Sequence, residues 1–474
     1  MKRLADRGIR VSIDAELLLK DNEPKADELI IKLLSLNKMF ITRDDVDAAL
    51  AQLAPPQVEL RSSDFIAEAR EHAGDIRILH QYDVTGKSRT RGEVDNFVNY
   101  FRNRYERMSR MMRNVARDVP TVTLSDAKKH VGDKVRVIVM ITDKRKTKKG
   151  NLFFEIEDMS DSFKVVFSGE TQKKAAQICL DDVVAISGKV LEPYLIANDV
   201  EWPDVPVTNT KKLAEKDLAV AYISDIHFGS NKFMQSSLDR FVKWLHGDGD
   251  ESVRKIASKV KYVVIAGDLV DGIGIYPKQE RELVVKDIYK QYEMFNDFIA
   301  ELPDYIEVII GPGNHDAVRR GDPMPAIADE YVKADVTSIG SPSFAVIEGV
   351  KHLVYHGTSI DSFVANIPGL TYTQPEKVMI EYVKRRHLSP IYGGNLIIPE
   401  NIDYMVLEEL PDVIHCGHVH KNSYAQYRGI VMINSGTFQS RTEYQVKQGH
   451  VPTPGFVPVY ELKYGRLRTM DFSG

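Results

Sequence analysis

Four apolar runs of strand length punctuate the second half of the chain: "LAVAYIS" (218–224), "VKYVVIAG" (260–267), "YIEVIIG" (305–311) and "KHLVYHG" (351–357). They are apolar along their length and do not alternate, which is the pattern of strands hidden on both faces. Long amphipathic segments such as 281–301 lie between them. Buried strands alternating with helices predict a layered α/β domain, and there the carboxyl ends of the strands gather at one rim, where ligands bind.

Each run stops at a polar cluster. The first gives Asp225 and His227 in "SDIHFGS", the second Asp268 and Asp271 in "AGDLVDG", and the third Asn314, His315 and Asp316 in "GPGNHD". The fourth gives His356, and a fifth cluster, "HCGHVH", holds His415, His418 and His420. Five clusters at five strand ends are expected to converge. Residues i and i+2 of an extended segment face one side, which pairs Asp225 with His227 and His418 with His420, and turns His415 away. Glycines 229, 267, 313, 357 and 417 suit sharp turns and close backbone approach at those ends.

A single buried His or Asp is usually a satisfied polar residue. The ordered series D-x-H, G-D-x-x-D, G-N-H-D, H, G-H-x-H is not accounted for that way. Its carboxylates, imidazoles and one amide, without a thiolate, fit Mn²⁺, Fe²⁺ or Zn²⁺ and argue against Cu⁺ or an iron–sulfur cluster. Seven donors exceed what one tetrahedral zinc needs. They suit two cations about 3.5–4 Å apart that share a carboxylate. Asp268, alone directly after Gly267, is the expected bridge.

From 219 to about 440 this series resembles the calcineurin-like metallophosphoesterases. The resemblance implies one metal on Asp225, His227, Asp268 and His420, and another on Asp268, Asn314, His356 and His418. It also implies that His315 sits by the phosphate and donates to the leaving oxygen or a non-bridging oxygen. Asp271 and Asp316 would orient His315 and the donors.

The first half reads differently. Residues 13–52 have helical periodicity, with Thr42 as a cap candidate, and "LAPPQ" ends that stretch. We expect a helical module at 1–52 and a tether at 53–118. That tether contains an amphipathic helix from Glu93, with Val94, Phe97, Val98, Phe101, Tyr105, Met108 and Met112 inward and a solvated face of arginines, Arg104 among them. Over 119–210, "KVRVIVMITDK", "NLFFEIED", "FKVVFSG" and "DDVVAISGKVL" predict an OB-fold β-barrel. Its loop "KRKTKKG" offers Lys144, Arg145, Lys146, Lys148 and Lys149 for a nucleic-acid backbone, beside Phe153 and Phe154 for stacking; a solvated hairpin tip is the plain alternative. The fold class is thus multidomain: a layered calcineurin-like phosphoesterase domain at 216–474, preceded by the barrel and the helical module.

Charge and cysteine usage narrow the setting. Lys+Arg 63 against Asp+Glu 68 excludes a generally basic nucleic-acid coat. Cys179 and Cys416 lack zinc spacing and read as reduced thiols. No apolar run approaches the ~18 residues of a membrane helix, and the start lacks an apolar signal core, so a cytoplasmic protein without membrane contact is expected.

Four segments carry a finer resemblance: "SDIHFGSNKF", "GDLVDGIGIYPKQE", "VKRRHLSPIYGGN" and "DVTGKSRTRGEVDNFVNYFRNRY" (83–105) are similar to the small subunit of archaeal family D DNA polymerases. This implies a 3′–5′ proofreading exonuclease that works with two divalent metals, Mn²⁺ foremost, on single-stranded 3′ ends of DNA. A large polymerizing subunit would be its partner, and a sliding clamp would be reached through the holoenzyme. Phosphate contacts are expected from Lys384, Arg385 and Arg386 and from the 144–149 loop. Related eukaryotic B-subunits lack most of the donors, all present here. A scaffold subunit would keep the barrel but need no donors; a stand-alone repair nuclease or small-molecule phosphodiesterase would need no barrel.

Overall fold

The computed structural model of the chain describes residues 65–113, 119–148 and 150–474, with scattered residues between 10 and 46. The chain forms two compact units, 1–64 and 65–474. In the first, the described residues include buried helical positions Ala15, Leu19, Leu29 and Leu33. They also include a parallel pair, β1 (Arg10–Val11) and β2 (Phe40–Ile41), so the module is not purely helical. Two-residue strands are too short to leave a period in sequence. Thr42 stands at the head of a helical turn, its N–H donating to the Asp45 carboxylate at 2.9 Å.

The expected tether is corrected over 65–113, which belongs to the second unit. Here β3 (Ile76–Ile78) is an edge strand antiparallel to residues 345–347. The helix, α1 (Val94–Arg113), is turned relative to the expected face: Tyr100, Arg104, Tyr105, Met108 and Met112 are buried, whereas Val94 is 77% and Val98 48% exposed. A cation sets this rotation. Arg104 Nε lies 2.7 Å from Asp403 Oδ2, its guanidinium donates to Pro390 O at 2.6 Å, and it rests on the rings of Tyr100 and Phe101. His387 Nε2 shares the same carboxylate at 2.9 Å. Burial opposes charge on Asp403, yet His387 and Arg104 hold its carboxyl well below the usual range.

The barrel comprises β4 (Thr121–Val122), β5 (Lys134–Lys146), β6 (Leu152–Glu157), β7 (Ser162–Phe167), β8 (Val183–Leu191) and β9 (Tyr194–Glu201). The order is β4-β5-β6-β7-β9-β8, and β5 pairing with β8 closes it. Phe154 packs inside with Val137, Ile156, Val165 and Phe167. It cannot stack on a strand; only Phe153, edge-on to Tyr194 with ring centroids 6.1 Å apart, remains near the surface.

The remaining elements build the layered domain: β10 (Ala219–Ile223), α2 (Gln235–Leu245), β11 (Val260–Ala266), α3 (Ile288–Ala300), β12 (Glu307–Gly311), β13 (Thr337–Ser338), β14 (Ser343–Ile347) and β15 (Val350–Val354) come first. There follow α4 (Ile360–Asn366), α5 (Pro375–Arg385), β16 (Val413–Cys416), β17 (Ser423–Tyr427), β18 (Ile430–Asn434), β19 (Phe456–Glu461) and β20 (Arg466–Asp471). Two six-stranded sheets result, ordered β13-β12-β11-β10-β19-β20 and β17-β18-β16-β15-β14-β3. On the second sheet Val350, Val354, Val413, Val431 and Ile433 join the core shared with the first. Leu353, Ile414 and Met432 point the other way, to α4 and α5. This two-residue alternation is how strands that read as unbroken apolar runs serve two cores.

Removing one partner of a buried ion pair typically costs about 3–5 kcal/mol, because the other charge is left unpaired. Arg104→Ala is expected to lower the unfolding free energy of the 65–474 unit by about that much in urea titration. Arg102→Ala, on the exposed side of α1, should change it by less than about 0.5 kcal/mol.

Candidate metal centre

Asp225 and His227 follow β10, Asp268 follows β11, Asn314 and His315 follow β12, His356 follows β15, and His418 and His420 follow β16. Four of the five strand ends line one cavity of about 610 Å³, through His227, Asp268, Asn314, His315, His418 and His420 among others, and His356 of the fifth reaches Asn314 Oδ1 at 3.0 Å. The expected convergence is what the structure shows. The expected reason is not: Asp225, His227, Asp268, His418 and His420 all have positive φ, between 52° and 71°, so these segments are turns and not extended strand. Such a backbone costs on the order of 1 kcal/mol per non-glycine residue, least for Asp, Asn and His. Strain of this kind concentrates where function fixes the geometry. Two glycines make the room. A Cβ on Gly313 would collide with Asp268 Oδ1, and one on Gly417 with Asp225 Oδ2 and Ser224 Oγ.

The imidazole tautomers follow from their neighbours. His227 Nδ1 is 3.0 Å from Asp271 Oδ1, His356 Nδ1 is 2.7 Å from Ala266 O, and His418 Nε2 is 3.1 Å from Asp361 Oδ2. Each faces a group that only accepts, so each carries the proton. The opposite nitrogens also meet acceptors. His356 Nε2 lies 3.3 Å from Asp268 Oδ2 and 3.0 Å from Asn314 Oδ1, which is 3.1 Å from His418 Nδ1. His227 Nε2 is 3.8 Å from Asp268 Oδ2 and 3.1 Å from His420 Nε2, itself 3.3 Å from Asp225 Oδ1.

Buried lone pairs converge in this way only around positive charge. As bare side chains, the site draws a proton to supply it. Burial disfavours charge on His356, but Asp268 and Asp225 push its imidazole up to about 10. Asp268, also against its burial, is held well below the carboxylate range by His356 and His315. Divalent cations would meet the same demand, and three overlapping groups among the described residues have the reach: Asp225–His227–His420, Asp225–Asp268–His356 and His227–Asp271–His315. This oxygen and nitrogen donor set fits divalent-metal chemistry.

The neighbouring residues divide into several jobs. His315 N–H donates to Asp268 Oδ1 and its Nδ1 to the Asp271 carbonyl, both at 2.8 Å, leaving Nε2 for the cavity. Asp316 accepts from Gly313 N at 2.8 Å, Leu269 N at 3.2 Å and Tyr292 OH at 3.1 Å, so it pins the two loops that carry Asp268 and Asn314. Burial, then Asp268, pushes its carboxyl up to about 7. Asp361 and Gln445 were not singled out from the sequence. Asp361 holds His418, and the side-chain amide of Gln445 lies 2.9 Å from His420 Nδ1. The only available signal for Asp361 was its place five residues after His356.

The expected phosphate contacts need correction. Arg385 is fully buried, 3.1 Å from Asp182 of the barrel, and also donates to Gln177 O at 2.5 Å and to Glu381. Arg386 donates to the carbonyls of Leu407 and Glu408, both at 2.6 Å, and Lys384 is 3.0 Å from Glu381. Arg385 thereby joins the barrel to the phosphoesterase layers, whereas the bonds of Arg386 and Lys384 stay within the layers. In the barrel, Lys144 Nζ donates to Ala176 O and Ile178 O at 2.9 and 2.7 Å, and Arg145 pairs with Asp143 and Glu155. Lys146 and Lys148 are exposed; Lys149 lies outside the described residues.

Comparison with known proteins agrees with this architecture. A calcineurin-like phosphoesterase family matches residues 218–422, and an OB-fold nucleic acid binding domain matches 135–199. The DNA polymerase II small subunit of Archaeoglobus fulgidus is 38% identical over 97% of this chain and 95% of its own length. That of Methanothermobacter thermautotrophicus is 35% identical over 99% of both chains, and that of Halobacterium salinarum 35% identical over 82% of this chain and 77% of its own. With a phosphoesterase domain whose donors meet at one rim and an OB barrel clamped to it, the chain belongs to the family of archaeal DNA polymerase II small subunits.

Proposed function

We propose that this chain is the 3′–5′ proofreading exonuclease of a heteromeric DNA polymerase. It would remove nucleotides from single-stranded 3′ ends while bound to a large polymerizing subunit, with any sliding clamp engaged through that assembly. The observation that carries the reading is the set of buried lone pairs facing one another across Asp268 and Asn314 at the floor of an open cavity. A scaffold has no use for such a set. We assign the chemistry to 216–474 and strand holding to the barrel at 119–210.

One divalent cation would be held by Asp225, His227, Asp268 and His420, the other by Asp268, Asn314, His356 and His418, with Mn²⁺ the favoured ion. Together such cations acidify water and neutralise charge on the phosphoryl oxygens. The chain itself supplies orientation and a proton. Asp271 and Asp361 fix the rings of His227 and His418 so that the lone pairs point inward. His315, anchored through Nδ1, presents Nε2 to the scissile phosphate; burial lowers its pKa, so it would donate to the departing 3′ oxygen or to a non-bridging oxygen only in the doubly protonated form that the bound phosphate's charge favours.

The test is release of nucleoside 5′-monophosphate from a 3′-mismatched primer by the purified chain, alone and with its large partner, with and without Mn²⁺. No Mn²⁺-dependent release in either setting would sink the reading. In the same assay His315→Ala should keep its metal and lose ~10²–10⁴-fold in turnover. Loss of metal would instead make His315 a ligand. Asp268→Asn should lose hydrolysis and lower metal content at both positions; two metals per chain with full activity would remove Asp268 as the bridge.

The barrel loop makes a narrower prediction than its sequence suggested. Neutralising Lys146 and Lys148 together should reduce the salt slope of single-strand binding by about 1.4, at roughly 0.7 per phosphate contact. Lys144→Ala should leave that slope unchanged, since its ammonium is engaged inside the protein. An unchanged slope in the double variant would make the loop a solvated hairpin tip.

A further inference from the structure

Of the three histidines in "HCGHVH", His415 has no place among the donors. It is fully buried, and on β16 it shares with Val413 the face turned to the space between the sheets. Its Nε2 lies 2.9 Å from Ser435 Oγ, Ser435 Oγ lies 2.6 Å from Ser224 Oγ, and Ser224 Oγ donates to Asp225 Oδ2. The direction of these bonds is set at the carboxylate, which only accepts. Ser224 donates to Asp225, Ser435 donates to Ser224, and an N–H on His415 Nε2 donates to Ser435. The rival acceptors, Gly436 O for Ser224 and Cys416 O for Ser435, are both farther, at 3.3 Å.

With its proton on Nε2, His415 is left with a lone pair at Nδ1, and burial, which pushes the ring down to about 3, keeps it neutral. That Nδ1 has no partner among the described residues. Neither has His352 Nε2, a lone pair because His352 Nδ1 donates to Val350 O at 3.0 Å, nor the Tyr222 hydroxyl. The Tyr222 ring is 4.9 Å from that of His415 and 6.1 Å from that of His352. Two buried acceptors and a buried hydroxyl on neighbouring rings of the inter-sheet core are polar groups that ordered water would satisfy, since leaving all three unpaired would be costly.

We propose that His415, Ser435 and Ser224 form a one-way hydrogen-bond chain, running from an internal water site between the sheets to Asp225 Oδ2. This chain fixes which oxygen of Asp225 is left for a cation. The His418 N–H is shared between the two oxygens, 3.0 Å from Oδ2 and 3.1 Å from Oδ1, so it is the Ser224 hydroxyl on Oδ2 that distinguishes them, while Oδ1 faces His420 Nε2 at 3.3 Å. Gly417 has no room for a Cβ against Ser224 and Asp225, so the carboxylate is held from that side too. His415, Ser435, Ser224 and His352 are not among the residues lining the cavity. They are positioning residues, and their role rests on the metal centre proposed above.

The test is titration of the metal-free, full-length chain with MnCl₂, followed by calorimetry and by the electron paramagnetic resonance signal of Mn²⁺. Ser435→Ala cuts the chain by one oxygen atom, and His415→Phe removes its start. Each is expected to weaken Mn²⁺ about 10–100-fold at the position that contains Asp225, as for other residues that orient ligands. The position built on Asn314 and His418 should keep its affinity, and Ser435→Thr, which retains the hydroxyl, should restore the other. Wild-type affinities for both Mn²⁺ ions in Ser435→Ala, whatever its melting temperature, would overturn the chain; that variant decides if His415→Phe fails to fold. A wild-type protein that takes up no Mn²⁺ would overturn the metal centre itself, and a crystal structure showing no water on His415 Nδ1 would overturn the water site.

Discussion

The constraint on which the centre depends is electrostatic: acceptor groups from five strand ends are buried together, and they repel one another unless positive charge lies among them. Asp268 and Asn314 sit between His356 and His418 at distances of 3.0–3.3 Å that only hydrogen bonds or cations sustain. Nothing in hydrophobic packing would bring such groups together. The two sheets make the gathering inevitable, since β10, β11 and β12 in one and β15 and β16 in the other end at the same rim. The backbone then gives up its preferred conformation at five donors to aim them. That combination of stacked sheets, left-handed turns and facing acceptors suits a receptor for positive charge.

A second electrostatic device holds the barrel and the layers in one unit. Arg385 reaches from the end of α5 to Asp182 in the barrel, and Trp202 covers its guanidinium at 5.2 Å. Arg104 reaches from α1 to Asp403 in the layers, while Tyr105 on the same helix donates to Ile138 O in the barrel at 2.9 Å. Both arginines are fully buried and both are multiply bonded, which is the condition under which a buried ion pair does not destabilise. Such contacts are directional, so they fix orientation in a way that apolar surfaces alone would not. Where the barrel presents its exposed Lys146 and Lys148 relative to the cavity is therefore a fixed property of residues 65–474.

What could be read from the sequence was what the chemistry of each position dictates locally. Apolar runs ending in Asp, His or Asn announced strands and a rim, and an alternating pattern over 134–201 announced a small barrel. The misread cations share one physical origin: long side chains whose partners are distant in sequence. Arg104 lies 299 residues from Asp403, and Arg385 more than 200 from Gln177, so neither could be told from a solvated cation. Lys144 reads as one of five loop charges, but β5 runs on through it and carries it inward. The edge strand β3 is three residues long and gains its identity only from β14. Asp225 and His227 were rightly paired by a rule for extended chain that their left-handed backbone does not obey, because either geometry can place i and i+2 on one site.

The composition of the cavity bears on how a nucleic-acid strand could be held. Among the described residues that line it there is no lysine or arginine, while Asp268, Asp271 and Asp361 all face it or stand at its wall. A phosphodiester entering such a space as bare side chains would meet net negative charge. Under the proposed reading, its attraction must come from cations on the seven donors and from His315, so binding at the reacting phosphate and catalysis would depend on the same ions. Holding the rest of the strand then falls to surfaces outside the cavity, the barrel among them under the proposed reading. This separates two properties that a single basic cleft would combine: affinity for DNA in general, and commitment of one phosphate to hydrolysis. Were the chain the exonuclease proposed above, keeping the attraction local to the metal centre would make access to it, rather than affinity for DNA, the step at which a terminus is chosen.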